Sequence, residues 1–172
     1  MKHNIFIIGP FAAGKSSLGY QLGRFLNLPF YDSDREVEKR SGVDIDWMFA
    51  VEGEEGFRQR ELIIIDELSS QNGIVIATGG GTVAIPECKK MLSERGIVVY
   101  LKVPFSEQLS RVKRFPAKRP MLDIDDPAKK LKILNDERAL LYESIANLTY
   151  TNASANPAQL AKKIIKDIKK LL

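Results

Sequence analysis

The stretch Asn4-Ile5-Phe6-Ile7-Ile8-Gly9-Pro10-Phe11-Ala12-Ala13-Gly14-Lys15-Ser16 decides how this chain is read. Asn4 to Ile8 reads as a buried strand, because Ile5 to Ile8 is an unbroken apolar run, rich in β-branched residues, that runs into a glycine. From Lys15 to Leu26 the spacing becomes helical, with Leu18, Leu22, Phe25 and Leu26 on one stripe and Pro29 past the end. Between strand and helix, Gly9 to Ser16 fits G-x-x-x-x-G-K-S/T, and that placement makes the pattern specific. Gly14 lets the backbone close around a phosphate, while successive amides and the helix N-terminus attract its oxygens. Lys15 reaches the β- and γ-phosphates as a point charge, and Ser16 offers a hydroxyl to Mg²⁺. A nucleoside triphosphate with magnesium is the expected ligand.

Outward from this loop, Phe30 to Asp32 reads as a short strand, followed by short helices at Asp34 to Arg40 and Asp44 to Val51 around Ser41-Gly42. Further strands are expected at Ile74 to Ala77, Ile97 to Leu101 and Asn147 to Thr151. Pro127 to Ile145 and Pro157 to Leu172 are helices that open on proline, where the missing N–H costs nothing. Strands alternating with helices argue for an α/β fold, a parallel sheet covered on both faces, in a single domain. The tail sets Leu160, Ile164, Ile165, Ile168 and Leu171 against Lys162, Lys163, Lys166, Lys169 and Lys170, an amphipathic helix with a solvated cationic face.

The chain has 172 residues, 44% hydrophobic and 28% charged. This is ordinary globular composition, which excludes disordered, collagen-like and disulfide-scaffold classes. No apolar run nears the roughly 20 residues of a membrane span, nothing resembles a signal peptide, and Cys88 is alone, so a cytoplasmic location is expected. The net charge of +4 hides a division: residues 1–86 carry 8 Lys plus Arg and 12 Asp plus Glu, residues 87–172 carry 18 and 10. The basic half suits either nucleic acid or small anions. Its cations are scattered rather than interleaved with aromatic residues along a stripe, which favours small anions.

A guanine-reading Asn-Lys-x-Asp segment is absent, which argues against a GTPase. Leu62 to Glu67 imitates the strand that ends in Asp-Glu in mechanical ATPases. Yet Phe57, Glu61, Ile64, Ile65 and Leu68 share a helical stripe with no Gly or Pro between Gly56 and Gly73, so a helix of about four turns fits better. Asp32 and Asp34, leaving a strand ahead of a helix, can serve a magnesium ion and an acceptor hydroxyl; a helix N-cap with turn acids is the plainer alternative.

With these residues in place the chain resembles the shikimate kinases over nearly its whole length. The match runs through the phosphate loop, Asp32-Ser33-Asp34, Gly53-Glu54-Glu55-Gly56-Phe57-Arg58 with Glu61, Gly79-Gly80-Gly81, Arg119-Pro120, and Glu137-Arg138 with Leu141-Tyr142. The resemblance implies a five-stranded parallel sheet of order 2-3-1-4-5, usually a monomer. The implied reaction moves the γ-phosphoryl group of ATP to the 3-hydroxyl of shikimate, on the route to chorismate and the aromatic amino acids. It also assigns roles. Ala12, Ala13, Gly14, Lys15, Ser16 and Ser17 bind the phosphates; Ser16 and Asp32 serve Mg²⁺, the latter through water. Asp34 binds the acceptor hydroxyls and takes the proton. Arg58 and Arg138 hold the substrate carboxylate, with Glu61 orienting Arg58, and Gly79, Gly80 and Gly81 let the backbone approach the ring. A lid at about 111–122 closes Arg119 over the phosphates, making Lys15, Asp34 and Arg119 the catalytic set, and Arg111 packs near adenine.

Three positions depart from the family pattern. Ala12 stands where another glycine is common, Ser16-Ser17 where Ser-Thr is common, and Ala155 where a long polar residue often lies against adenine. Gluconate kinases share a phosphate loop and an acidic pair, but they do not account for Arg58, the triple glycine and Arg138 together.

Overall fold

In a computed structural model, which describes residues 3–114, 122, 125–153 and 156–172, the five strands β1 (Asn4–Ile8), β2 (Phe30–Asp32), β3 (Val75–Ala77), β4 (Gly96–Lys102) and β5 (Leu148–Thr151) form one parallel sheet. Its order is β2-β3-β1-β4-β5, as the resemblance implied. The helices are α1 (Lys15–Leu26), α2 (Ser33–Ser41), α3 (Ile45–Ser69), α4 (Pro86–Arg95), α5 (Phe105–Arg114), α6 (Pro127–Ile145) and α7 (Pro157–Leu171).

The alternation of side chains along β1 divides the core. Ile5 and Ile7 face one layer with Leu18 and Leu22 of α1 and Leu160, Ile164 and Ile168 of α7. Phe6 and Ile8 face the other, with Val37 of α2, Ile64, Ile65 and Leu68 of α3, Leu92 of α4 and Tyr142 of α6. Ile5 to Ile8 of this central strand are covered on both faces, hence their unbroken apolar run. Because all five strands run one way, the segments after β1, β2, β3 and β5 emerge at one edge. There the chain turns to opposite sides of β1, and such a crevice is where open α/β sheets bind ligands.

Leu62 to Glu67 is helical, and Phe57, Glu61, Ile64, Ile65 and Leu68 are all buried, so the strand-like alternative is set aside. This helix is continuous with the one expected from Asp44, broken only by Gly53 at φ 72°, ψ −179°, a left-handed φ that side chains rarely tolerate. Asp44 caps it by accepting from the Trp47 amide at 2.8 Å. Two apolar positions are corrected. Phe25 lies at the surface between the Arg24 and Lys162 cations, 5.8 and 5.6 Å from its ring, and Leu171 is exposed in the last turn of α7, where no further element covers it. Among the described residues no helix is long and apolar enough to cross a membrane.

Candidate active site

The phosphate loop is held from behind. Lys15 Nζ donates to the carbonyls of Gly9 and Pro10, both at 2.8 Å. Gln108 Nε2 of α5 donates to Phe11 O at 2.8 Å, Arg111 Nη1 to Ala12 O at 3.1 Å, and Asn152 Nδ2 to Ala13 O at 2.7 Å. Every carbonyl from Gly9 to Ala13 thus accepts from a side chain, which offsets the negative ends of these peptide dipoles and leaves an electropositive cradle for an anion. Ala12 sits at φ 56°, so this chain tolerates in the left-handed region a side chain that costs about 1 kcal/mol there.

Beside the loop, Asp32 does two things at once. Its Oδ1 caps α2 by accepting from the Asp34 and Arg35 amides at 3.2 and 3.3 Å, and its Oδ2 accepts from Ser16 Oγ. The N-cap alternative and the metal-side reading are therefore compatible. Asp34 is different, because its Oδ1 is buried and accepts no hydrogen bond. That burial, with the Glu61 and Asp32 carboxylates nearby, outweighs Lys15 and Arg58 and pushes its pKa from 3.8 up to about 7.

The triple glycine after β3 separates these groups. A Cβ on Gly79 would lie 2.7 Å from both Asp34 Oδ1 and Glu61 Oε1, and one on Gly81 would lie 2.2 Å from Arg58 Nη2. Glu61 is fully buried; its Oε2 accepts from Arg58 Nη1 at 2.6 Å and its Oε1 from the Thr82 hydroxyl. Glu54 holds the other side of the guanidinium, at 3.3 and 3.1 Å. Arg138 is buried over the Phe11 ring, 5.6 Å from its centroid, and the Tyr142 hydroxyl donates to Gly80 O. The result is a cleft of about 290 Å³ lined by Phe11 to Ser17, Asp32, Asp34, Thr78, Gly79 and Gly80.

Against known proteins, the sequence model of the shikimate kinase family matches residues 11–169. The chain belongs to the shikimate kinase family. Shikimate kinase 1 of Erwinia tasmaniensis is 48% identical over 170 residues, covering 98% of each chain. A solved shikimate kinase from Acinetobacter baumannii, in complex with shikimate, superposes with a TM-score of 0.95 at 39% identity, over 99% of this chain and 94% of that one. The enzyme from Aquifex aeolicus does so with a TM-score of 0.83 at 35% identity, over 96% of both. The chain is accordingly an ATP-using kinase.

Of the residues the family resemblance singles out, the fold gathers Ala12 to Ser17, Asp32, Asp34, Gly79 and Gly80 around one cleft, with Arg58, Gly81 and Arg138 on its flanks. Arg119 and Ala155 lie outside the described residues. Arg111 to Arg114, expected as the start of the lid, are the last turn of α5. Sequence reasoning missed Ser33, whose Oγ accepts from the Gly79 amide at 2.9 Å, and Thr82, Gln108 and Asn152. Thr82 directly follows the triple glycine and could have been suspected; the others have partners far along the chain.

Proposed function

We propose that this chain transfers the γ-phosphoryl group of MgATP to the 3-hydroxyl of shikimate, within aromatic amino acid biosynthesis. The observation that carries the reading is Asp34: a half-buried carboxylate whose buried Oδ1 accepts no hydrogen bond, set in the cleft of the phosphate loop with Lys15 and Arg58 nearby. A carboxylate so placed can accept a hydrogen bond from the attacking hydroxyl and then its proton. Its raised proton affinity suits that task.

The remaining roles follow from position. Amides of Ala12 to Ser17 bind the phosphates, and Lys15 exchanges the Gly9 and Pro10 carbonyls for phosphate oxygens. Ser16 Oγ and Asp32 Oδ2, already in contact, are hard oxygen donors that would hold Mg²⁺, Ser16 directly and Asp32 through water. Magnesium, when bound, supplies charge neutralisation on the transferring group. Arg58 and Arg138 take the planar carboxylate, for which guanidinium forks are suited and lysines are not. Arg111 stacks near adenine, with Ala155 offering only backbone or an apolar face there. A lid that begins beyond α5 brings Arg119 over the phosphates and excludes water. The protein works as a cytoplasmic monomer, and the lysines of α7 are its solvated surface rather than a nucleic-acid site.

An ADP-release assay with shikimate, gluconate and nucleoside monophosphates as acceptors tests this. Turnover is expected with shikimate alone; turnover with gluconate and none with shikimate refutes it.

A further inference from the structure

We propose that Phe11 is a positioning residue for the acceptor, its ring forming the platform that holds the Arg138 guanidinium toward the substrate carboxylate; this rests on the reading of Arg138 given above. In the pattern G-x-x-x-x-G-K-S/T the side chain at this position is unspecified, since phosphate is bound by backbone. Here that side chain is in use. The Arg138 guanidinium lies 5.6 Å from the Phe11 ring centroid. The edge of the same ring comes within 3.5 Å of the Cβ position of Gly80, so it borders the triple glycine as well.

Both the backbone and the ring of Phe11 are fixed by the elements around the acceptor. Its carbonyl accepts from Gln108 Nε2 at 2.8 Å, and Gln108, itself buried, pairs with Asn135, which donates to Gln108 Oε1 at 2.7 Å. Asn135 lies on α6 one turn before Arg138. The ring packs with Val112 of α5 against Leu122, Leu131 and Leu134. A phosphate-loop residue thereby anchors the arginine of the second substrate, so the distance between the two ligands is set within one short segment. An aromatic face under a desolvated guanidinium also lowers the free energy of the one orientation that presents its fork.

The test is steady-state kinetics with shikimate varied at saturating MgATP, for the wild type, Phe11→Leu, Arg138→Gln and the double variant. Leucine keeps the apolar contact with Leu131 and Leu134 but has no π face. Phe11→Leu is expected to raise KM for shikimate about 5- to 30-fold, the scale of a buried cation–π contact. KM for ATP and kcat should stay within about threefold, a split that general loosening of the loop would not produce. In the Arg138→Gln background the same change should alter kcat/KM for shikimate less than about twofold, because the ring acts through the arginine.

Unchanged KM for shikimate in Phe11→Leu overturns the proposal, and so do fully additive effects in the double variant. If Arg138→Gln by itself leaves kcat/KM for shikimate intact, the reading of Arg138 fails and the proposal falls with it, a result distinct from the other two. Should Phe11→Leu not fold, Phe11→Met fills similar space without a ring and is judged by the same criteria.

Discussion

Replacing Asp34 by Asn should make the ligand-free protein more stable and nearly inactive together, with the gain in stability appearing only where Asp34 is charged. Burial, reinforced by the Glu61 and Asp32 carboxylates, raises the Asp34 pKa from 3.8 to about 7. At 1.36 kcal/mol per decade of proton affinity this corresponds to about 4 kcal/mol above both values. Water reaching the open side of the cleft reduces the part felt at pH 8 to about 1 to 3 kcal/mol. The direction in pH follows from the sign. The folded protein binds this proton more tightly than the unfolded chain, so the contribution of Asp34 to stability is whole below about pH 4 and is lost as pH rises to about 7. An asparagine has no such dependence. Thermal unfolding followed by circular dichroism without ligands should show similar Tm values for wild type and Asp34→Asn near pH 4. By pH 8 the variant should be roughly 3 to 10 °C higher, given about 2 to 4 °C per kcal/mol for a domain of this size. Turnover should fall at least about 100-fold. A gap that is absent at pH 8, or that closes as pH rises, refutes the electrostatic argument, and a loss of turnover under about tenfold refutes the proton-accepting role.

The triple glycine offers an internal comparison: Gly79→Ala places a methyl 2.7 Å from two buried carboxylate oxygens, whereas Gly80→Ala meets only the Phe11 ring at 3.5 Å. Gly79→Ala should lower stability by about 1 to 3 kcal/mol in thermal melts while Gly80→Ala stays near wild type, and equal losses would contradict the packing described. Thr82→Val removes the hydroxyl that Glu61 accepts from, which should cost about 1 to 3 kcal/mol and raise KM for shikimate as Arg58 loses its fixed partner. Thr82→Ser should restore both; if it does not, the hydroxyl is not the cause. Lys15→Met should abolish ATP turnover in the coupled assay, and a variant that keeps most of it would remove the basis for the phosphate-loop reading.

Much of this fold was legible because its signals are local. The boundaries of β1, α1, β2 and α6 follow from apolar runs, helical stripes, glycine and proline, all read within a dozen or so residues. The helix at Leu62 was recoverable for the same reason, since the stripe through Glu61 outweighed a strand-like hexamer. Phe25 shows the limit of such reasoning. It lies on the correct stripe of α1, but whether a stripe is covered depends on which helix lands against it, and α7 presents Lys162 there instead of an apolar side chain.

The site divides in the same way. Phosphate-loop chemistry is carried by a contiguous motif, because one strand, one turn and one helix suffice to aim backbone amides at an anion, and the sequence alone determined that much. What holds the loop and sets the acid comes from far along the chain. Asn152 reaches Ala13 across 139 residues, Gln108 reaches Phe11 across 97, and Ser33 meets the Gly79 amide across 46. Asp34 is an ordinary aspartate in the sequence. Only the tertiary structure decided its character, by removing water from one oxygen and bringing the Glu61 carboxylate to the same glycine, and burial and charge proximity are properties of the packed chain that no local pattern encodes.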